Sequence, residues 1–546
     1  MKKILLFVCV VFSTYSAISQ LTTDWQRNTG LIPYGDMMVK TDNEQNPVVV
    51  RGLASGGGFT QVGTCITKYD TEGNQLWSVV DEEFFDDFGF GMNDFGFDSD
   101  NNIIMGGIEM SPEDFYTHSM LIKLAPDGSE LWRTNLSPVM TWSERIENLV
   151  VAEDGSVFAT AVLYLEDVET LAQALVKINA AGQVEWTNFE NNEGFYGIAM
   201  DDEGMLYTTG YNSVRKYNQD GEMLWSVPFG FSDDAFYSTG NASGIIQVEG
   251  THIRVTAYGY YPETNQNRIG LVAGNTDGNN FNFFEFDILP GQDNESINLR
   301  NFCVSEDGNT FIAGNVSYGE SGPAMVMNDV ERGSKGGTSV NGLLVYQISP
   351  SGENEWTYTE FPEEGEETIF SIGAALRNNE LIVVCNGGYV PTSSELVFNF
   401  NRQSGAINWT QTISNTSEFS ALFPQSLNLS DDGSLYLTGN GNLLDNSQNA
   451  YLNKYEFEEE TVDVATLNNN ESVMIYPNPA GNAMHVLNTE TYRELRITDA
   501  SGRLVSTQNT TGKNRVLLNT EHLESGMYQL LLIGNSNTIT RTFIKN

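Results

Sequence analysis

Along most of this chain apolar and polar residues alternate in short runs, and the runs are cut by turns rich in Asp, Asn and Gly. Alternation with a period of two puts successive side chains on opposite faces of a strand, so it predicts β-structure almost throughout. One pattern recurs. It is clean at Ile66–Trp77 (ITKYDTEGNQLW), returns in KLAPDGSELW, KINAAGQVEW and KYNQDGEMLW ending at Trp132, Trp186 and Trp225, and is looser before Trp356 and Trp409. Each copy reads as a hairpin: an alternating strand, a tight turn whose Gly accepts a positive φ, and a second strand carrying a large aromatic.

A second pattern falls between the hairpins, an acidic or amide-rich turn followed by a strand that usually ends in Gly. It includes Asp42, Asp98, Asp154, Glu203, Glu249, Asp307, Asn378 and Asp432, which makes eight copies. The hairpins agree with that count. The long gap from Trp225 to Trp356 holds an extra hairpin at Asn275–Gly278, followed by Phe281, Phe283, Phe284 and Phe286 in place of Trp. Trp25 stands in a second hairpin strand without a first, and Asn453–Tyr455 in a first strand without a second. Pairing the two closes a ring and removes the open sheet edges. Repeats of this kind bury their faces against one another.

The predicted fold is therefore all-β, a β-propeller over 20–460 of eight four-stranded blades, or of seven with an insertion. The texture changes at the Asn-rich linker 461–471. From 472 to 546 short strands with a YPNP entry and Gly turns (ITDASGRLV, LESGMYQL, RTFIKN) predict a small β-sandwich.

Charge narrows the class. The 546 residues carry 27 Lys and Arg against 72 Asp and Glu, a net charge of -45, which excludes nucleic-acid binding by a basic surface. The first 19 residues (MKKILLFVCVVF, then Ala17 and Ser19) read as a signal peptide, so the chain is expected to be exported. No later apolar run approaches the roughly 20 residues of a membrane-spanning helix. Cys65, Cys303 and Cys385 lie in strand-like apolar runs and are expected to be buried thiols, not a disulfide framework.

The alternation of KxDxxGxxxW with DGxxxxxG resembles the repeats of bacterial surface β-propellers, the beta-propeller repeat and delta-60 type. The hairpin is also similar to the tryptophan-docking motif of pyrroloquinoline quinone dehydrogenases. That family sets adjacent cysteines beside its quinone, whereas the cysteines here are far apart, so no quinone is expected. The YPNP, ASGRLV, SGMYQL and RTFIKN blocks, in that order, resemble the type A sorting domain of Bacteroidetes type IX secretion. This resemblance implies a cargo carried through the periplasm and across the outer membrane, extracellular or attached to the cell surface, with residues 472–546 engaging the secretion machinery.

Candidate chemistry is sparse. Trp77, Trp132, Trp186, Trp225, Trp356 and Trp409 repeat at one register and are read as packing between blades, because buried aromatics dominate such cores. Trp142 stands outside that register and is read as a contact residue. Arg332 and Lys335, rare cations in the long irregular stretch Tyr318–Asn341, are read as part of a ligand or partner loop. Asp98, Asp100 and Asn102 present alternate oxygens that suit a weak Ca²⁺ site, though without the Gly and distal Glu of a full calcium loop. His118 and His252 fall in different units, and no motif of a hydrolase or zinc protease is present. The expected role is non-catalytic binding of an extracellular glycan or protein. The alternatives are a polysaccharide-acting enzyme with a site in the propeller channel and a structural spacer in a surface assembly.

Overall fold

The computed structural model describes residues 21–457 and 474–545, leaving out short stretches between strands and longer ones such as 81–88, 137–143, 239–245, 319–339 and 361–368. The local unit is well seen at 177–186. Asn179 Oδ1 accepts the amides of Ala181 at 3.1 Å and Gln183 at 3.0 Å, and Gly182, with φ of +84°, closes the turn. Only a residue without Cβ takes that φ at little cost. Past the turn the register runs Ile178 opposite Val184 but Lys177 opposite Trp186. The extra residue is a β-bulge, which aims Trp186 at the neighbouring sheet.

Each hairpin supplies the third and fourth strands of a sheet, and each turn-plus-strand pattern supplies the first and second. The eight resulting sheets span 33–80, 89–135, 145–190, 198–228, 236–287, 295–360, 369–413 and 419–457, in chain order. All pairings are antiparallel, and in all but the fifth and eighth sheets they join strands consecutive in the chain. The fifth sheet has its first strand in two pieces, Phe236–Ser238 and Ile246–Glu249, both paired with His252–Tyr261. The eighth takes its fourth strand from the start of the chain: Leu21–Asn28 lies along Gln448–Phe457, with Trp25 opposite Lys454. Neighbouring sheets touch chiefly through their first strands, and the eighth touches the first. The ring is closed, and its eight sheets are the eight blades of a propeller rather than seven and an insertion.

Apolar side chains fill the gaps between blades. Between the second and third, Ile104 and Leu121 meet Ile146, Leu149, Val157 and Ala159, all buried. Near the channel, where first strands converge, carboxamides stitch one blade to the next. Asn148 Nδ2 donates to the Tyr196 carbonyl at 2.7 Å, and Gln247 Nε2 to that of Phe302 at 2.7 Å.

Chain contacts divide after Glu458 into two compact units. The second is a β-sandwich. One sheet holds Met474–Tyr476, Ala483–Leu487 and Arg515–Asn519, and the other holds Leu504–Asn509, Tyr492–Asp499, Gly526–Gly534 and Thr538–Lys545. Met484, Val486, Leu495, Ile497, Leu518, Leu530, Leu532 and Phe543 form its core. Among the described residues there is no helix, and none that is long and apolar enough to cross a membrane.

Candidate functional site

The two ends of the ring differ. Turns joining first to second and third to fourth strands share one end, where antiparallel order puts them, and there the repeated residues spend their chemistry on packing. Trp186 Nε1 donates to the Gln219 carbonyl of the next blade at 3.1 Å, and its indole lies over Gly221. Trp25, Trp77, Trp132 and Trp356 do the same to Thr71, Pro126, Ala180 and Arg402, at 2.7–3.1 Å. Trp225 covers Gly278, but its Nε1 is buried without a partner. Phe284 takes the same place over Gly352. Trp409 meets the closing blade, where no turn joins the third strand Gln448–Phe457 to the fourth strand Leu21–Asn28, and packs on Phe457 with centroids 6.3 Å apart. Beside it Gln411 holds the closing strand from both sides, its Oε1 accepting Leu21 N at 3.0 Å and its Nε2 donating to Leu21 O at 3.0 Å.

The lysine that opens the hairpin pattern reaches the aspartate that opens the other. Lys68 Nζ lies 2.7 Å from Asp42, and Lys123 Nζ 2.7 Å from Asp98, with all four side chains buried. Asp98 Oδ1 also accepts the amides of Asp100 and Asn102, at 3.0 and 2.9 Å, and Oδ2 accepts Asn102 Nδ2 at 2.8 Å. Burial pushes the Asp98 carboxyl up, but the Lys123 ammonium and the Asn102 donors outweigh it and hold it below the usual carboxylate range. Asp100 is exposed. A cation at Asp98, Asp100 and Asn102 would therefore have to displace Lys123 from its pair.

Other candidates are not brought together. His118 and His252 lie in the second and fifth blades, each with its imidazole pushed down by burial first of all. Cys65 and Cys385 are buried and Cys303 is half-buried, and all three are free. Burial pushes the Cys303 thiol up to about 12, away from the thiolate that a nucleophile or metal ligand needs. On the first strands, Lys40 pairs with Asp94 at 2.8 Å and Arg145 with Glu147 at 2.6 Å. Among the described residues no group of His, Cys, Asp and Glu could hold a metal.

Stretches that do not repeat attach to the opposite end, between second and third strands or between successive blades. They include 81–88, 137–143, 319–339 and 361–368, so Trp142, Arg332 and Lys335 lie outside the described residues. The structure also supplies a residue that periodicity does not mark. Glu395, in the third strand of the seventh blade, is wholly buried. It sits in an ordinary alternating run, SELVFNFN, and only its neighbours across the blade gap set it apart.

With this geometry in hand, comparison with known proteins speaks to the second unit. Residues 474–546 match the family described as the secretion system C-terminal sorting domain. The chain is a type IX secretion cargo. Its tail takes this cargo to the cell surface or the extracellular space through contact with the secretion machinery. No curated protein matches the cargo. Among the similar solved structures, all three of the following are at low identity. Chaetomium thermophilum Sqt1, bound to the N-terminus of the ribosomal protein L10, is 12% identical over 79% of this chain and 100% of its own, with a TM-score of 0.42. The polysaccharide lyase Uly1 is 12% identical over 82% and 94%, with a TM-score of 0.41. PorZ, a surface component of the type IX secretion system of Porphyromonas gingivalis, is 8% identical over 93% and 81%, with a TM-score of 0.21.

Proposed function

We propose that the cargo is a non-catalytic binding propeller whose unrepeated stretches hold an extracellular glycan or protein. The supporting observation is a division of labour. At the turn-bearing end the repeated Trp, Lys, Asp and Gly serve contacts within the fold, while sequence that departs from the repeat attaches to the other end. Connecting segments on a rigid scaffold are where binding residues concentrate. In this reading Trp142, Arg332 and Lys335 belong to the contact surface, and residues 1–19 are a signal peptide removed on the way out of a Bacteroidetes cell.

The experiment is a panel of glycans and surface proteins tested on the secreted chain by thermal shift, with turnover assayed in parallel. A ligand that binds only the folded state raises the melting temperature by mass action. The expected result is a shift with one ligand class and no product formed, weakened in R332A/K335A. Product formation from a polysaccharide would replace binding with catalysis, and silence across the panel would overturn the reading.

A further inference from the structure

Glu395 stands between the seventh blade and the blade that closes the ring. Three neighbours come from one strand, Gln448–Phe457, whose other edge pairs with the closing strand Leu21–Asn28. The Tyr455 hydroxyl donates to Glu395 Oε2, and Asn453 Nδ2 lies 3.4 Å from Oε1. The Tyr451 hydroxyl faces the same carboxyl. Asn453 Nδ2 also donates to the Tyr455 hydroxyl at 2.9 Å. Tyr455 packs in one apolar cluster with Leu21, Val397 and Leu437, and Tyr451 in another with Phe419 and Leu422, all buried.

Tyr451 and Tyr455 are the titratable groups that face Glu395, and among the described residues no cation does. The charged residues of the same strand are turned elsewhere, Lys454 pairing with Glu456 at 2.8 Å and Asp24 at 3.1 Å. A buried carboxylate without a cation is costly. Asn453 Oδ1, buried beside it, has no donor. The Tyr455 hydroxyl and Asn453 Nδ2 are neutral donors and no cation among the described residues stands beside them, so they offset only part of the cost of burying the charge, and the protonated form is the one that suits the site.

We propose that Glu395 is a proton-operated latch on the closing seam, seated when protonated and released when ionised, so that the ring loosens between the seventh and eighth blades. Burial, which outweighs the donors from Tyr455 and Asn453 and the nearby Tyr451 hydroxyl, pushes its carboxyl up to about 7 from an ordinary 4.5. The closed seam therefore keeps a proton that the open seam loses. Closure is at full strength below pH 4.5, weakens between there and about 7, and is level above.

Hydrogen exchange on the full chain, corrected for intrinsic rates, tests this through peptides covering 21–28 and 448–457. Their protection is expected to fall by up to about tenfold per pH unit from pH 5 to 7 and then to level off, while peptides covering 157–178 stay constant. In E395Q the seam peptides should lose this pH dependence. Equal profiles in wild type and E395Q, or wild-type seam peptides that track 157–178, would overturn the latch. Should E395Q not fold, Y455F decides. Losing the hydroxyl that favours the ionised form should move the infrared signature of the protonated carboxyl to higher pH, and an unmoved signature refutes the assignment.

Discussion

Gly405 offers the sharpest measurement of the indole contact between blades. Its φ is +66°, and a Cβ built on it would stand 2.5 Å from Trp356 Cδ2 and 2.7 Å from Cγ. The ring cannot yield, because Trp356 Nε1 is held by the Arg402 carbonyl at 3.1 Å and the ring plane stacks on Phe400 with centroids 5.9 Å apart. Gly405→Ala should therefore cost about 1–2 kcal/mol for the left-handed backbone and about 1–3 kcal/mol for overpacking. Gly433 provides the control. Its φ is +88°, yet its nearest neighbour, Arg377 Nε, is 3.8 Å from the built Cβ. Gly433→Ala should show the backbone cost alone, about 1–2 kcal/mol. Urea unfolding read by tryptophan fluorescence suits the comparison, because all eight tryptophans precede the tail and the signal reports the propeller only. Equal losses in the two variants would refute the claim that the indole meets this turn at contact distance.

Two further outcomes follow from the pairing of polar groups. Trp186→Phe should cost about 1 kcal/mol more than Trp225→Phe, because Trp186 gives up a hydrogen bond to Gln219 while Trp225 Nε1 has none to lose. Identical losses would show that the indole N–H contributes nothing to the seam. Lys123→Met should destabilise the propeller by about 3–5 kcal/mol by leaving Asp98 buried and unpaired, and K123M/D98N should recover most of it. Asp98 is held below the ordinary carboxylate value of 3.8, so its contribution is present above that pH and is lost as pH falls through the depressed value. Urea titrations at pH 7 and below 4 should accordingly show the penalty of K123M shrinking with acid, and a constant penalty would refute the pairing.

The ring could be read from the chain because its chemistry repeats. Trp77, Trp132 and Trp186 recur at one place in the hairpin, and the unmatched halves at Trp25 and Asn453–Tyr455 anticipate the closing pair Trp25 and Lys454. Even the blade without tryptophan was legible, since the run from Phe281 to Phe286 contains Phe284, which covers Gly352 as an indole does elsewhere. The pairing of Lys123 with Asp98 is not legible in the sequence, although each belongs to one of the two recurring patterns, because alternation gives the face of a strand and not which turn it leans on. Glu395 lay further out of reach. Its burial depends on blades packed against each other, and a glutamate at the start of a strand looks the same when it faces water. Loop chemistry around Trp142, Arg332 and Lys335 does not repeat, so spacing says nothing about what gathers there.

The strand that locks the ring is the first part of the propeller to be made and the last to be used. Leu21–Asn28 has no partner until Gln448–Phe457 exists, more than 400 residues later. Bringing such distant segments together is slow, although each doubling of the intervening length adds only about 0.6 kcal/mol. Meanwhile an unpaired strand is an invitation to aggregate. The segment LTTDWQRN meets that hazard with Asp24 and Arg27 on either side of Trp25, and its other large apolar residue is Leu21. The two charges that flank the indole keep the waiting strand from pairing with strangers before its own partner emerges.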